Sequence, residues 1–416
     1  MAHIEVIGGR QMHGEVAIHG SKNAVLPMLA ASVLHKGITK INYCPKITDV
    51  YSMMKLLESI GCIVIWEKNS VVIDATTISL NVVSEQHVSS MRSSVFLLGA
   101  LIGRTGCVTI AYPGGCKIGS RPINMHLQAL RLMDVEVIES SDLVYCNCTK
   151  IKGSNVKFKT ISVGATENTM LAAVLADGIT VIENAAREPE IVELARFLNL
   201  MGAQIEGAGT DTITIKGVNE LKDAEYDLVS DRIVMGTYMT ALAGVGGNIT
   251  LRGNCMTDNL VVVNMLRKMG CKIGIGEDYL NISTFERPRA VDLLQTRPYP
   301  GFPTDMQSQF MSVLAVAKGN SLIIENIFET RFHNASQLIK MGADIFTEGS
   351  VALIKGVDYL YGTDLFAEDL RGGAGLVVAA LMAQGKSTIN QIHYIERGYE
   401  DICADLRALG VDIVKK

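Results

Sequence analysis

Six copies of one short pattern run through the chain. An amphipathic helix ends at Met-Gly or a close variant and passes directly into a strand: LLESIGCIVI, LRLMDVEVI, LNLMGAQIE, LRKMGCKIGI, LIKMGADIF and LRALGVDIV. The turn residues are Gly61, Asp134, Gly202, Gly270, Gly342 and Gly410, spaced 73, 68, 68, 72 and 68 residues apart. Repetition at a fixed period means one supersecondary unit used again and again. A glycine there fits a left-handed helix C-cap. Asp134 is the exception, and Asp tolerates that conformation better than most side chains.

A second pattern alternates with the first: helices of small and apolar residues, each followed by Gly and a β-rich stretch. Examples are SKNAVLPMLAASVLHKGITKI, DMQSQFMSVLAVAKGNSLII and LRGGAGLVVAALMAQGKSTI. Apolar on nearly every side, these helices should be buried. Each repeat of about 70 residues thus carries one buried helix, one amphipathic helix and several short strands. Three repeats per domain give two similar α/β domains of ordinary size, with buried helices surrounded by sheets and outer helices. Asp227–Asp231 (DLVSD) is the expected crossover, and a cleft between two lobes is the usual ligand site.

Bulk properties exclude several classes. With 48% hydrophobic and 19% charged residues, global disorder is not expected. A net charge of −5 lacks the basic excess of a nucleic-acid binder. No signal peptide or membrane span is expected, since no stretch has the required apolar length. Nine scattered cysteines, an odd count in a long chain, point to a reducing compartment rather than a disulfide framework. Cys146 and Cys148 read as alternate strand residues, with no second pair at zinc spacing.

The buried helices begin near Lys22, Arg92, Glu167, Arg232, Asp305 and Arg371. A helix N-terminus attracts anions. Lys22, Arg92 and Arg371 carry the wrong sign for that position unless they share an anionic ligand; solvated or ion-paired cations are the bland alternative. The HGSKN segment is superficially similar to a P-loop but lacks its spacer and its Ser or Thr after Lys. Cys116 lies in Pro113-Gly114-Gly115-Cys116-Lys117-Ile118-Gly119-Ser120-Arg121-Pro122. A free cysteine is ordinarily a buried small hydrophobe, which is the expectation for the other eight. The Gly- and Pro-framed loop, with Lys117 and Arg121 to lower a thiol pKa, makes Cys116 a candidate reactive group.

Taken together, these segments resemble the UDP-N-acetylglucosamine 1-carboxyvinyltransferase family of enolpyruvyl transferases along essentially the whole chain. The match runs through Gly20-Ser21-Lys22-Asn23-Ala24, Met91-Arg92-Ser93-Ser94, the Cys116 loop, Ser162-Val163-Gly164-Ala165-Thr166 and Gly301-Phe302-Pro303-Thr304-Asp305-Met306-Gln307. It continues through Arg331-Phe332, Asp369-Leu370-Arg371 and Arg397-Gly398-Tyr399. The Cys loop and the Gly-Phe-Pro-Thr-Asp segment carry most of its specificity. The sister family, 5-enolpyruvylshikimate-3-phosphate synthase, shares the fold but differs at both.

The resemblance implies two inside-out α/β domains, residues 21–229 and residues 1–20 plus 230–416, with the active site between them. It implies phosphoenolpyruvate and UDP-N-acetylglucosamine as substrates, a cytoplasmic location, and neither metal nor organic cofactor. Lys22, Asn23, Arg121, Arg331, Arg371 and Arg397 resemble the residues around phosphoenolpyruvate. Arg92, the run Arg121, Pro122, Ile123, Asn124 and Met125, and Ser162, Val163 and Gly164 resemble contacts to the UDP-sugar. Asp305 resembles the residue beside the reacting hydroxyl, and Ile327 stands at a further sugar-binding position. Cys116 matches the general acid and the site of fosfomycin alkylation. Lys22, Cys116, Asp305 and Arg397 form the catalytic set. The chain departs from the family at Asn124, Thr160, Ser230, Val234 and His333-Asn334. Rival readings are transfer to a shikimate-type acceptor and a silent paralogue that only binds UDP-sugar.

Overall fold

The structure, a computed structural model, describes residues 2–78, 82–83, 88, 91–114, 119 and 122–416. The described residues contain six four-stranded sheets, each built to one plan. In the repeat around Asp305, the edge strand Leu293–Gln295 leads through a buried helix to Asn320–Ile324, which lies parallel to it. Parallel neighbours need such a crossover. The outer helix His333–Lys340 follows, then the hairpin strands Asp344–Glu348 and Val351–Lys355, the latter pairing antiparallel with Asn320–Ile324.

The expected turns are present. Gly61, Gly202, Gly270, Gly342 and Gly410 have φ of 104°, 104°, 110°, 97° and 85°, and Asp134 adopts 66°. At these points an L side chain is strained, so glycine is the default.

The chain divides into two compact units. In one, formed by the described residues of 20–114 and 122–229, the buried helices Lys22–Ala31, Phe96–Thr105 and Val163–Ala173 pack on one another. In the other, residues 2–19 and 230–416, the helices Arg232–Val245, Gln307–Leu314 and Leu370–Met382 do the same. Sheets and amphipathic helices surround each trio, so helices apolar all round have no wet face. Each fully buried Leu or Phe on them contributes about 1.5–3 kcal/mol.

Close helix packing needs missing side chains. A Cβ on Gly99 would lie 2.3 Å from the Asn168 carbonyl oxygen, and one on Gly375 2.8 Å from that of Ser308. The Gly99 N–H donates to Asn168 Oδ1 at 2.9 Å, which fixes that approach.

The repeats close by exchange of strands. Ala224–Asp227 supplies the parallel edge of the first sheet, beside Ile38–Asn42. Met12–Ala17 does so for the fourth, beside Gly247–Arg252. Ile4–Ile7 fills the sixth sheet, antiparallel between Lys386–Asn390 and Asp412–Lys415.

Candidate functional site

Asp305 sits on the 3-10 turn Thr304–Met306, ahead of the α-helix Gln307–Leu314, rather than on the α-helix itself. Phe302 packs edge-to-face on Phe310 with centroids 4.9 Å apart, tying the Gly-Phe-Pro-Thr-Asp segment to that helix. A helix-cap role, the bland reading of an acid here, is not what the side chain does: the turn has no side-chain cap. Instead Arg331 Nη2 donates to Asp305 Oδ1 at 2.8 Å and Arg371 Nη2 donates to Oδ2 at 3.0 Å.

Arg371 is placed by its own helix. Asp369 Oδ1 accepts from the N–H groups of Arg371 and Gly372, both at 2.9 Å, and so caps Leu370–Met382. Arg331 ends the loop that follows Asn320–Ile324, and its guanidinium lies 5.1 Å from the Phe328 ring centroid. Both arginines are buried, at 3% exposure. Burial alone would raise the Asp305 pKa, but Arg371 and Arg331 outweigh it and hold the carboxyl well below the usual carboxylate range. Burial alone would lower the Arg371 pKa, and Asp305 reverses that too. Two guanidiniums against one carboxylate leave this trio positive. Arg331 Nε and Arg371 Nη1 are also buried without a hydrogen-bond partner among the described residues. Buried guanidinium N–H groups in excess of carboxylate are a chemistry that can receive an anion.

Arg397 closes the 3-10 helix Ile392–Arg397, which packs on the helix carrying Arg371. Ile327 is half-buried, and its N–H donates to Glu325 Oε1 at 2.8 Å.

In the other unit, Lys22 opens Lys22–Ala31, which Ser21 caps through the Ala24 N–H. Lys22 Nζ pairs with Asp49 Oδ2 at 2.8 Å, both side chains being almost fully buried. The cation of wrong sign for its helix end is thus paired locally, whereas Arg371 shares its one carboxylate with Arg331. Asn23 follows on the same helix, half-buried. Arg92 opens the 3-10 turn Arg92–Val95, not an α-helix, and donates to the Pro122 carbonyl at 3.3 Å. Ile123 is buried, while Pro122 and Asn124 are exposed at the start of Asn124–Leu132. Ser162 caps Val163–Ala173 through the Ala165 N–H, and the His126 ring packs against Gly164. Arg92, the run Pro122 to Met125, and Ser162 to Gly164 are therefore drawn into one neighbourhood. Glu167 is a correction: it lies in the fifth position of its helix, fully buried, not at the start.

Cys116, Lys117 and Arg121 lie outside the described residues. The other cysteines are poor nucleophiles where a shift is resolved. Burial pushes the Cys62, Cys146 and Cys271 thiols up to about 12 and Cys403 to about 11. It also raises Cys148 and, further, Cys255.

Three departures have local accounts. Ser230 Oγ accepts from the Asn254 N–H while its own N–H donates to Asn254 Oδ1, a reciprocal clip. Thr160 Oγ1 contacts Met125 Sδ at 3.5 Å. His333 Nδ1 lies 3.8 Å from a Glu368 oxygen. Nothing in the structure explains Val234. An open depression of about 630 Å³ lined by Lys157, Phe158, Lys159, Glu183, Asn184, Asp211 and Thr212 holds none of the residues discussed here.

Sequence reading missed Asp49, Thr304 and Glu325, all bonded to site groups. Thr304 lies inside a quoted motif, and Asp49 in the first turn of an amphipathic helix; only packing reveals their partners.

Comparison with known proteins narrows the anion site. The family model described as EPSP synthase (3-phosphoshikimate 1-carboxyvinyltransferase) matches residues 6–406. A UDP-N-acetylglucosamine 1-carboxyvinyltransferase 2 of Caldanaerobacter subterraneus subsp. tengcongensis is 46% identical over 415 residues, covering 100% of both chains. Proteins named UDP-N-acetylglucosamine 1-carboxyvinyltransferase from Trichlorobacter lovleyi and Geobacter metallireducens are 45% and 43% identical, each covering 98% of this chain and 97% of its own length. Among solved structures, the enolpyruvyl transferase NikO from Streptomyces tendae superposes with TM-score 0.90 at 23% identity, covering 100% of this chain and 99% of that one. An EPSP synthase from Acinetobacter baumannii gives 0.78 at 16%, covering 100% of both. Repeats, sheets and full-length relatives agree, and the chain belongs to the EPSP synthase family of carboxyvinyltransferases.

Proposed function

We propose that this chain transfers the enolpyruvyl group of phosphoenolpyruvate to the 3′-hydroxyl of UDP-N-acetylglucosamine and releases phosphate, the first committed step of peptidoglycan precursor synthesis. The observation that carries the reading is the Asp305 trio: one carboxylate against two buried guanidiniums, in a chain 43–46% identical, end to end, to proteins named for this reaction. The anion it is built for is phosphoenolpyruvate, whose phosphate and carboxylate carry about three negative charges and suit Arg forks.

The chemistry assigns each group a step. Cys116 delivers a proton to C3, which makes C2 electrophilic; the sugar oxygen attacks C2 and its proton passes to Asp305. The C2–O(phosphate) bond of the tetrahedral intermediate then breaks as a C3 proton returns to the Cys116 thiolate; the proton held by Asp305 passes to the departing phosphate, and the C2–C3 double bond is restored. Clamped by both arginines, Asp305 is a weak base. The substrate's anionic groups compete for those guanidiniums, so binding loosens the clamp and restores basicity where the hydroxyl arrives. Lys22, Asn23, Arg121 and Arg397 complete the phosphoenolpyruvate set. Arg92, Arg121 to Met125, Ser162 to Gly164 and Ile327 hold the UDP-sugar. No metal or organic cofactor enters these steps, and both substrates belong to the cytoplasm. No helix among the described residues is long and apolar enough to cross a membrane.

Phosphate release from phosphoenolpyruvate tests the reaction. Release that depends on UDP-N-acetylglucosamine is expected; release that depends on shikimate 3-phosphate instead, or on no acceptor, overturns it. Fosfomycin followed by mass spectrometry tests Cys116: a label mainly on another cysteine, or none with UDP-sugar present, removes it from the mechanism.

A further inference from the structure

Glu325 follows the strand Asn320–Ile324 and is buried at 2% exposure. It receives four donors. Oε1 accepts from Thr296 Oγ1 at 2.8 Å and from the N–H groups of Ile327 and Phe328 at 2.8 and 3.2 Å. Oε2 accepts from Thr304 Oγ1 at 2.9 Å. The Thr304 hydroxyl in turn accepts from Arg331 Nη1 at 3.0 Å, and Arg331 holds Asp305 with its other terminal nitrogen. A buried carboxylate thus ties together three pieces of chain: the end of Leu293–Gln295, the turn bearing Asp305, and the loop bearing Ile327 and Arg331.

Plain stability is a weak explanation for this arrangement. A buried polar group stabilises little beyond the cost of its own desolvation. Every donor it collects lies on or beside a segment of the anion site, and the bonds are directional. Supporting partners of this kind fix the orientation of the groups that meet substrate. The bonds also fix which way each Arg331 nitrogen points: Nη1 to Thr304, Nη2 to Asp305.

We propose that Glu325 is a positioning residue for the enolpyruvyl transfer, acting through Thr304 to set the Arg331 guanidinium against Asp305 and through two backbone N–H groups to set the Ile327 loop. Its assay rests on the reaction proposed above, so the experiment separates the two. Wild-type enzyme is tested first, for phosphate release with UDP-N-acetylglucosamine and for phosphoenolpyruvate binding by calorimetry. Then Glu325→Gln, Thr304→Val, the double variant and Thr304→Ser are compared with it. Gln keeps the shape but replaces one acceptor with an N–H donor, so it cannot accept from both the loop and Thr304.

Glu325→Gln and Thr304→Val should each melt within a few degrees of wild type. Each should lower kcat/KM for phosphoenolpyruvate about 10- to 100-fold, with weaker binding of that substrate. The double variant should fall no further than the worse single, because both cut one relay. Thr304→Ser, which keeps the hydroxyl, should recover most of the loss. Wild-type kinetics and binding in Glu325→Gln, or losses that multiply in the double variant, overturn the proposal. A wild-type protein that binds phosphoenolpyruvate but releases no phosphate overturns the reaction alone, and the binding measurements still decide the relay. A wild-type protein that does not bind phosphoenolpyruvate overturns both.

Discussion

Asp305 and Glu167 are both carboxylates at the buried helix of a repeat, one in each unit, yet they titrate in opposite directions. Burial pushes Glu167 well above the usual range, and Glu190 and Glu188 push it further. Its Oε1 has no hydrogen-bond partner among the described residues. Asp305 is drawn the other way by Arg371 and Arg331, despite burial. The repeat supplies the same scaffold twice; the neighbours decide whether its acid is a proton holder or a fixed anion. A fixed anion between two cations is what a competing anionic substrate can displace.

The sharpest way to break this comparison is Asp305→Asn. Turnover should fall by about 10²–10⁴, because Asn accepts no proton. The sequence alone suggests that this variant would fold normally, since Asn caps as well as Asp. The ion pairs change that expectation: without the carboxylate, two buried guanidiniums lose their counter-ion, at a cost of about 3 kcal/mol. Melting should therefore drop, and phosphoenolpyruvate should restore part of it. Unchanged melting would mean the trio is not the anion trap described above.

The helices under the two acids give the next contrast. Gly99→Ala drives a methyl into the carbonyl of Asn168, next to Glu167, and should cost about 3 kcal/mol. Gly375→Ala meets the Ser308 carbonyl less closely and should cost about 1–2 kcal/mol. Denaturant titration of both would show whether the units pack equally tightly; the reverse order would refute the distances.

Glu167→Gln isolates the titration. A raised folded pKa gives stability that is fully present below the unfolded value, about 4.3, and lost as pH rises through the folded one. The Gln variant lacks that slope. It should match wild type near pH 4 and be the more stable of the two at pH 8. The Asp305 clamp has the opposite sign, present above about pH 4 and lost only at strongly acid pH. A Gln variant with wild-type pH dependence would place the charge elsewhere.

The smallest effect is expected at Asp134→Gly. Relief of the left-handed backbone at φ 66° is offset by the exposed 2.7 Å pair with Lys152 and by the greater freedom of the unfolded glycine chain. The net change should stay within about 0.5 kcal/mol. A larger change would show that the six turns are not interchangeable.

What the sequence showed depended on whether a signal was local. The turn at Gly342 is written in its own residues, and so is the all-round apolarity of Leu370–Met382. The strand that completes a sheet is not: nothing in Ile4–Ile7 names Lys386–Asn390 as its neighbour. The site behaves likewise. Asp305 and Arg371 stand in motifs that the sequence displays, whereas Asp49 and Glu325 have partners that only folding supplies. Glu167 was misplaced because a helix apolar on every side offers no phase to mark its first turn.

The strand exchange also orders events during synthesis. At about 5–20 residues per second, Ile4–Ile7 leaves the ribosome some 20–80 s before its two neighbours near residues 390 and 415 exist. The other unit waits about half as long, because Ala224–Asp227 joins Ile38–Asn42 from about 185 residues further on, roughly 10–40 s at that rate. A nascent chain stalled at about residue 300 should therefore protect the strands Ile38–Asn42 and Ala224–Asp227 from protease while Ile4–Ile7 stays cleavable. An early-made strand is thus among the last to find its place, and for most of translation it is an unpaired edge that other chains could join.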